Sequence, residues 1–405
     1  MTNQTTSQSR MSYYRDQVVC RACGAPLHSP FLNLGLQTFA NNLVDAPYVV
    51  VPHAPLALVQ CPDVQCQLVQ LTVEVDRDVL FAEYLYTPSQ SKTFNQHFNE
   101  LAVELAVEGE GLWVDIGSND GLLLSKVQNT RASWDVCGVE PCELLATQAN
   151  DQDIPTCCDY WSLATAKKIH AMHGKADVVT ATNVFAHVNK PVNFATLVEV
   201  FLLKDDGVFV IEVPYFWQMI QDNTFDLIYH EHQSYFSVGS LNNILSMANM
   251  YIENVELIPI HGGSLRVYAR KGKRPETIPE LLPLGSLDTW ATDVRQTRDR
   301  FVGVLNRYNY VVGYGAPAKA TVLINYAQLT SQDIQYIVDD NPLKQGKYLP
   351  GSGIPVISRE QVGSHPSFPP SPEAVIIFPW NIAKDIEPKV KSMFPGADIV
   401  VPQGG

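Results

Sequence analysis

Apolar and polar positions are patterned differently in three stretches of the chain. From Gly111 to about Ile260, short apolar runs alternate with longer amphipathic ones. Leu112 to Ile116, Val136 to Glu140, Ala176 to Ala181 and Gly207 to Glu212 have the length and β-branched content of buried strands. Helical stretches separate them, which predicts a parallel sheet covered on both faces. Ahead of this region, Asn41 to Pro55 is rich in proline and asparagine, and Leu80 to Val107 has helical periodicity. Behind it, the proline- and glycine-rich Lys271 to Leu287 reads as a linker. A helix from about Leu287 to Asn309, a strand, glycine turn and helix over Tyr310 to Ala320, and strands at Ile334 to Val338 and Ala374 to Phe378 suggest a smaller α/β unit. The predicted division is a small β module over 1–78, a central α/β domain over 79–285 and a C-terminal α/β domain over 286–405.

At 405 residues the chain is long for one core, in keeping with that division. Lys+Arg number 28 against Asp+Glu 42, a net charge of -14 that argues against nucleic acid or an anionic membrane as main partner. The longest apolar runs, such as Gly207 to Ile211, fall short of the roughly 20 residues that span a membrane. Met1 to Arg10 is polar and shows no signal peptide. The expectation is a cytoplasmic protein.

In a reducing compartment disulfides are not expected, so the early pairs Cys20-x-x-Cys23 and Cys61-x-x-x-x-Cys66 read as metal ligands. A Cys-x-x-Cys knuckle puts two thiolates on one side of a turn, and a distant pair completes a tetrahedron around Zn²⁺. Four thiolates leave no open position, so the zinc would be structural, stapling a small β module. Cys137, Cys142, Cys157 and Cys158 lack metal spacing and read as free thiols.

Two glycine turns follow predicted strands. Asp115-x-Gly117-x-x-x-Gly121 precedes a second strand ending in Glu140. Glycines there let the backbone approach a ligand, and a terminal acid can accept both hydroxyls of a ribose. The spacing differs from the dinucleotide pattern and suits S-adenosylmethionine (SAM), which has no phosphate to cradle. The alternative is a structural turn in another nucleotide-binding fold. Gly313-x-Gly315-x-x-Ala318, with Asp339-Asp340 ending the next strand, nominally fits the dinucleotide fingerprint. Pro317 within the turn and Lys319 at the helix start are unusual for it, and the lysine favours a diphosphate.

Tyr229-His230-Glu231-His232-Gln233-Ser234-Tyr235-Phe236 follows no simple period. It lacks the His-Glu-x-x-His spacing of a metalloprotease helix. A loop carrying acid–base groups fits better, an imidazole removing a proton and a phenol donating to an oxyanion. Satisfied structural histidines are the alternative. His261-Gly262-Gly263-Ser264-Leu265-Arg266 opens a strand either with N–H groups exposed to a ligand or as a hairpin turn.

These motifs, together with Asn183-Val184-Phe185-Ala186-His187 and Glu212-Val213-Pro214-Tyr215, occur in an order that resembles SAM-dependent sugar C-methyltransferases acting on nucleotide-linked 4-keto-deoxysugars. Members make branched sugars of the mycarose, noviose, tetronitrose and virenose kinds. The resemblance covers nearly the whole chain. It implies a Rossmann-like methyltransferase sheet flanked by a zinc-binding module and a C-terminal Rossmann-like domain. It implies His232 as general base with Tyr229 and Glu231 as catalytic partners. Cofactor contacts would come from Asp115, Gly117, Ser118, Asn119, Gly121, Glu140 and Asn183. Substrate contacts would come from Tyr84, His187, Tyr229, Gly263, Arg266 and Lys319. The C-terminal glycine turn would help hold the nucleotide diphosphate, a dTDP group, in a monomeric enzyme with structural Zn²⁺, releasing S-adenosylhomocysteine.

The chemistry is consistent with these residues. A hydrogen α to a 4-keto group is acidic once the enolate is stabilised, and a neutral histidine, with ordinary pKa about 6.5, can take it. The zinc would stay remote from this step. Two other readings compete: an NAD(P)-dependent oxidoreductase built on the C-terminal turn, and a non-enzymatic zinc-ribbon scaffold for protein partners.

Overall fold

The computed structural model describes residues 13–47, 49–80, 92–273, 286–364 and 366–402. Three sheets and one two-stranded ladder carry these segments.

The central sheet has seven strands in the order Met250–Ile258, Ser264–Lys271, Leu203–Pro214, Ala176–Thr182, Gly111–Ile116, Trp134–Val139 and Thr156–Cys157. The last five are parallel, and the hairpin of Met250–Ile258 and Ser264–Lys271 adds antiparallel to Leu203–Pro214. Trp113, Val114 and Ile116 on one strand and Val179 and Ala181 on the next are fully buried, as strands covered on both faces require. Leu122–Thr130 packs on one face through Leu122, Leu123, Leu124 and Val127. The chain leaves Gly111–Ile116 to one side for Trp134–Val139 and later returns on the other with Ala176–Thr182, so the carboxyl ends of these strands form a switch point where ligands bind.

Near the N-terminus, Leu32–Thr38, His53–Gln60 and Val69–Leu71 form an antiparallel sheet. Its fourth strand is Ser234–Tyr235, from the histidine-containing run, paired with Val69 and Gln70. The run expected to be irregular is thus hydrogen-bonded to the cysteine-bearing module. In the C-terminal region, Val356–Ile357, Ile337–Val338, Val311–Tyr314, Ala374–Ile377 and Asp398–Val400 form a wholly parallel sheet. The helix expected to begin near Leu287 runs over Ser286–Leu305. Its Trp290 lies in one buried cluster with Leu56, Phe216 and Tyr235, drawing residues of all three sequence regions into a common core. Among the described residues no helix is long and apolar enough to cross a membrane.

Candidate active site

A cavity of about 750 Å³ opens at the carboxyl ends of the central strands. Asp115, Gly117, Ser118, Asn119, Glu140 and Asn183 line it, with Tyr160 and Trp161 from the segment after Thr156–Cys157. Gly121 caps the following helix at φ 79° and is not itself a lining residue. Gly117 has φ +76°, and a Cβ there would lie 2.3 Å from Val184 Cγ2, so a side chain would be both strained and crowded.

The polar groups of this cavity fit SAM. The Glu140 carboxylate accepts from the Asn119 N–H at 3.0 Å and the Cys142 N–H at 2.8 Å, which fixes it while leaving lone pairs on both oxygens for ribose hydroxyls. The Ser118 hydroxyl is buried without a protein partner, a group that a bound ligand would satisfy. Asp115 accepts from the Thr180 hydroxyl at 2.6 Å. Burial, opposed by that hydrogen bond and helped by the Glu140 and Glu212 carboxylates, pushes Asp115 up to about 7. An acidic floor of this kind suits the cationic ammonium and sulfonium of the cofactor.

His187 and Gln233 also line the cavity. Burial lowers His187 to about 4, so it is neutral. The His232 ring lies edge-on to it, centroids 5.1 Å apart. His232 Nδ1 sits 3.1 Å from the Leu227 carbonyl, which can only accept, so Nδ1 carries the proton. Nε2 therefore presents its lone pair, to which the Tyr229 hydroxyl donates at 2.9 Å. Glu231 is wholly buried, and Asn41 Nδ2 donates to both its oxygens at 2.8 Å. Burial, opposed by Asn41, raises Glu231 to about 7. His230 instead faces the Pro55 carbonyl at 3.2 Å and ties the loop to strand His53–Gln60. His230 is thus tied to the N-terminal sheet, whereas His232 stands against the cavity residue His187 without lining the cavity itself.

The loop is held from the N-terminal side. Leu71 N–H donates to the Gln233 carbonyl at 3.1 Å, and Arg21, inside the first cysteine knuckle, reaches Gln233 Oε1 at 3.3 Å. Arg21 also donates to the carbonyls of Leu71 and Val73. The four cysteine sulfurs of this module lie within 4.8 Å of one another, with Cys20–Cys66 at 3.7 Å and Cys23–Cys61 at 3.4 Å. Thiolates around tetrahedral zinc, with Zn–S about 2.3 Å, stand roughly 3.8 Å apart, so the four fit one Zn²⁺.

Other expected contacts are placed differently. The Gly263 N–H donates to the Ile260 carbonyl and its carbonyl accepts from Tyr215, so the glycine pair forms the hairpin turn rather than a set of exposed donors. Arg266 is buried against Glu212, Nε to carboxylate 2.7 Å, with Glu104 and Glu256 at 3.6 and 3.5 Å. It braces the sheet outside the cavity wall. Lys319 is buried with Nζ 4.1 Å from the Trp380 ring centroid and bonded to Asn381; burial lowers it to about 8, against the pull of Asp226. Tyr84 lies outside the described residues.

The C-terminal turn is closed by its own surroundings. Asp339, the acid a dinucleotide ribose would need, accepts from the Ala316 N–H at 2.6 Å and the Asn341 N–H at 2.8 Å. A Cβ on Gly315 would meet Pro379 at 2.6 Å, and Lys344 caps the Ala316 carbonyl. Sequence reading also missed Asn41, Gln233, Thr180 and the cavity residues Arg77 and Tyr160, whose rings and charge meet at 3.9 Å. Only Gln233 stood in a motif.

Comparison with known proteins identifies the family. Residues 259–402 match the family described as C-methyltransferase C-terminal domain, 90–255 a methyltransferase domain and 20–81 a zinc binding domain. The chain belongs to the C-methyltransferase family, and it is an enzyme that uses SAM. Its relative C-methyltransferase NovU of Streptomyces niveus is 33% identical over 410 residues, covering 95% of this chain and 94% of NovU. Among solved structures, the methyltransferase complexed with the Haloferax volcanii Trm112 activator aligns at TM-score 0.37 and 13% identity, covering 46% of this chain and 94% of that one. The plantazolicin methyltransferase BpumL with S-adenosylhomocysteine gives 0.37 and 13%, covering 46% and 88%.

Proposed function

We propose that the enzyme methylates the carbon next to the keto group, C3, of a nucleotide-linked 4-keto-deoxysugar, a dTDP sugar, in the cytoplasm. The observation that carries this reading is the fixed His232 imidazole, its basic Nε2 held at the Tyr229 hydroxyl and its ring against the cavity residue His187. SAM, when bound, supplies an electrophilic methyl group. His232 Nε2 removes the α-hydrogen of the ketone, and the Leu227 carbonyl steadies the imidazolium that results. Tyr229, released from Nε2, donates to the enolate oxygen. His187, neutral and in the wall, orients the sugar without competing for the proton. Residues Asp115 and Glu140 hold the cofactor at the other side, so the two substrates meet across one cavity, where orientation alone supplies a large part of the rate.

The test is mass spectrometry of products from a panel of nucleotide 4-ketosugars incubated with SAM and the enzyme. A product one methyl heavier, with the methyl on carbon by NMR, supports the reading. Methylation at oxygen or nitrogen, or none across the panel, overturns it.

A further inference from the structure

The asparagine-rich segment after Leu32–Thr38 belongs to the zinc-binding module by sequence, yet its side chains and carbonyls reach the other regions. Phe39 packs edge-on against His230, centroids 5.2 Å apart. The Ala40 carbonyl accepts from Thr321, on the helix Ala318–Tyr326 of the C-terminal region, at 3.0 Å. Asn42 donates to the Val79 carbonyl at 2.9 Å, and Asn325 of the same C-terminal helix donates to Thr38 at 3.0 Å. Between these anchors stands Asn41, whose amide meets both oxygens of Glu231 at 2.8 Å.

We propose that Asn41 is a positioning residue for methyl transfer, fixing the carboxylate of Glu231, the residue before His232 in the chain, and tying that setting to the C-terminal helix through Ala40. This rests on the reading of Tyr229 to Phe236 as the catalytic loop. The chemistry requires an amide. Its N–H groups donate to an ionised Glu231, and the same side chain, turned over, accepts from a protonated one, so it serves a carboxyl that changes charge. An aspartate of the same shape has no donor and adds a like charge. Burial favours the neutral form of Glu231, and Asn41 opposes it, holding the group near neutrality. The neighbouring titratable groups are engaged elsewhere. His230 faces Pro55, His232 faces Leu227 and Tyr229, Arg21 faces Gln233 and strand carbonyls, and Lys319 faces Asn381 and Trp380.

The experiment compares Asn41→Ala, the isosteric Asn41→Asp and Glu231→Gln in the full-length enzyme loaded with zinc. It reads kcat, KM for SAM and the pH profile of kcat/KM. Loss of fixed geometry costs up to about 10²-fold in rate, so Asn41→Ala should lower kcat about tenfold or more. The KM for SAM should hold, because Asn41 does not line the cofactor cavity. The acidic limb of the profile should move to higher pH in Asn41→Ala and further in Asn41→Asp. Should Asn41→Ala fail to fold, the profile of Asn41→Asp gives the answer alone. An inactive Glu231→Gln beside Asn41 variants with parental kcat and profile overturns the inference while leaving the reading of the loop intact. A fully active Glu231→Gln overturns this role for the run and the inference with it.

Discussion

The protein contains two strand–glycine turn–helix units with nearly the same skeleton and different fates. In the central one, Gly117 N–H donates to the Val139 carbonyl at 2.7 Å; in the C-terminal one, Gly315 N–H donates to the Val338 carbonyl at 2.7 Å. In both, an acid ending the next strand accepts two backbone N–H groups, Glu140 from Asn119 and Cys142, Asp339 from Ala316 and Asn341. The central turn faces a cavity and keeps a hydroxyl, Ser118, in reserve. The C-terminal turn is packed against Pro379 and crossed by Lys344, while Trp380 beside it donates to Asp226 just ahead of the Tyr229 to Phe236 run. The motif specifies a backbone; what the rest of the chain lays across it decides whether that backbone binds or braces.

If chemistry belongs only to the central unit, the largest loss should come from its neighbouring base. His232→Ala should cut turnover by about 10² to 10⁴-fold while SAM binding stays near parental. Deuterium washed from D₂O into the sugar's α-carbon, with an unreactive SAM analogue bound, should slow to match. Equal exchange in parent and variant would remove His232 from the role and put His187, in the cavity wall, next in line.

Zinc removal sharpens the contrast in another way. Val75, Asp76 and Arg77, which follow the zinc-binding strands, line the central cavity, and Ser234–Tyr235 pairs with Val69–Leu71. One zinc per chain is expected by elemental analysis. Because a structural site is coupled to folding, Cys20→Ser or chelation should raise hydrogen exchange at residues 229–235 and weaken SAM binding. The parallel C-terminal sheet should keep its protection. Uniform loss of protection across all three sheets would show that zinc holds the whole molecule and not the central site in particular.

Much of this layout is legible in the sequence. The central strands, the Asp115–Gly121 turn, Glu140 and the cysteine set rest on local patterns of period and spacing, and they stand where expected. The Leu203–Pro214 strand outruns the apolar stretch Gly207 to Glu212 at both ends, because Leu203 pairs with Ala176 and the pairing with Ser264–Lys271 continues to Pro214. Ser234–Tyr235 was illegible as a strand, since two residues have no period. Asn41 and Glu231 are 190 residues apart, and a contact at that distance leaves no trace in a single sequence. Arg266 and Gly263 stood in motifs whose residue types suit a ligand, but a buried cation takes the carboxylates nearest it, and hairpin closure uses the glycine amide.

A smaller effect should appear in the pH dependence of cofactor binding. Folding raises the pKa of Asp115 to about 7, so its neutral form is favoured in the fold and that contribution is lost as pH rises through 7. A cationic ligand favours the ionised form instead. Affinity for SAM, measured by titration calorimetry without sugar substrate, should therefore climb as pH rises from about 6 to about 8. Asp115→Asn should flatten that slope, and an unchanged slope would mean that Asp115 does not sense the ligand's charge.

The smallest effect makes the comparison sharpest, because one chemical change can be made at both turns. Glu140→Gln and Asp339→Asn each replace a carboxylate that accepts two backbone N–H groups by an amide with one accepting oxygen. One N–H is then left facing an amide nitrogen, and an unsatisfied buried donor costs about 1–3 kcal/mol. Both variants should melt at lower temperature by similar amounts. Only Glu140→Gln should also weaken S-adenosylhomocysteine binding, since only that carboxylate lines the cofactor cavity. If Asp339→Asn weakened it equally, the C-terminal turn would be acting on the cofactor and the division between a binding turn and a bracing turn would fail. If Glu140→Gln altered stability alone, the ribose would have to be held elsewhere along the same wall, with Tyr160 and Trp161 the residues to change next.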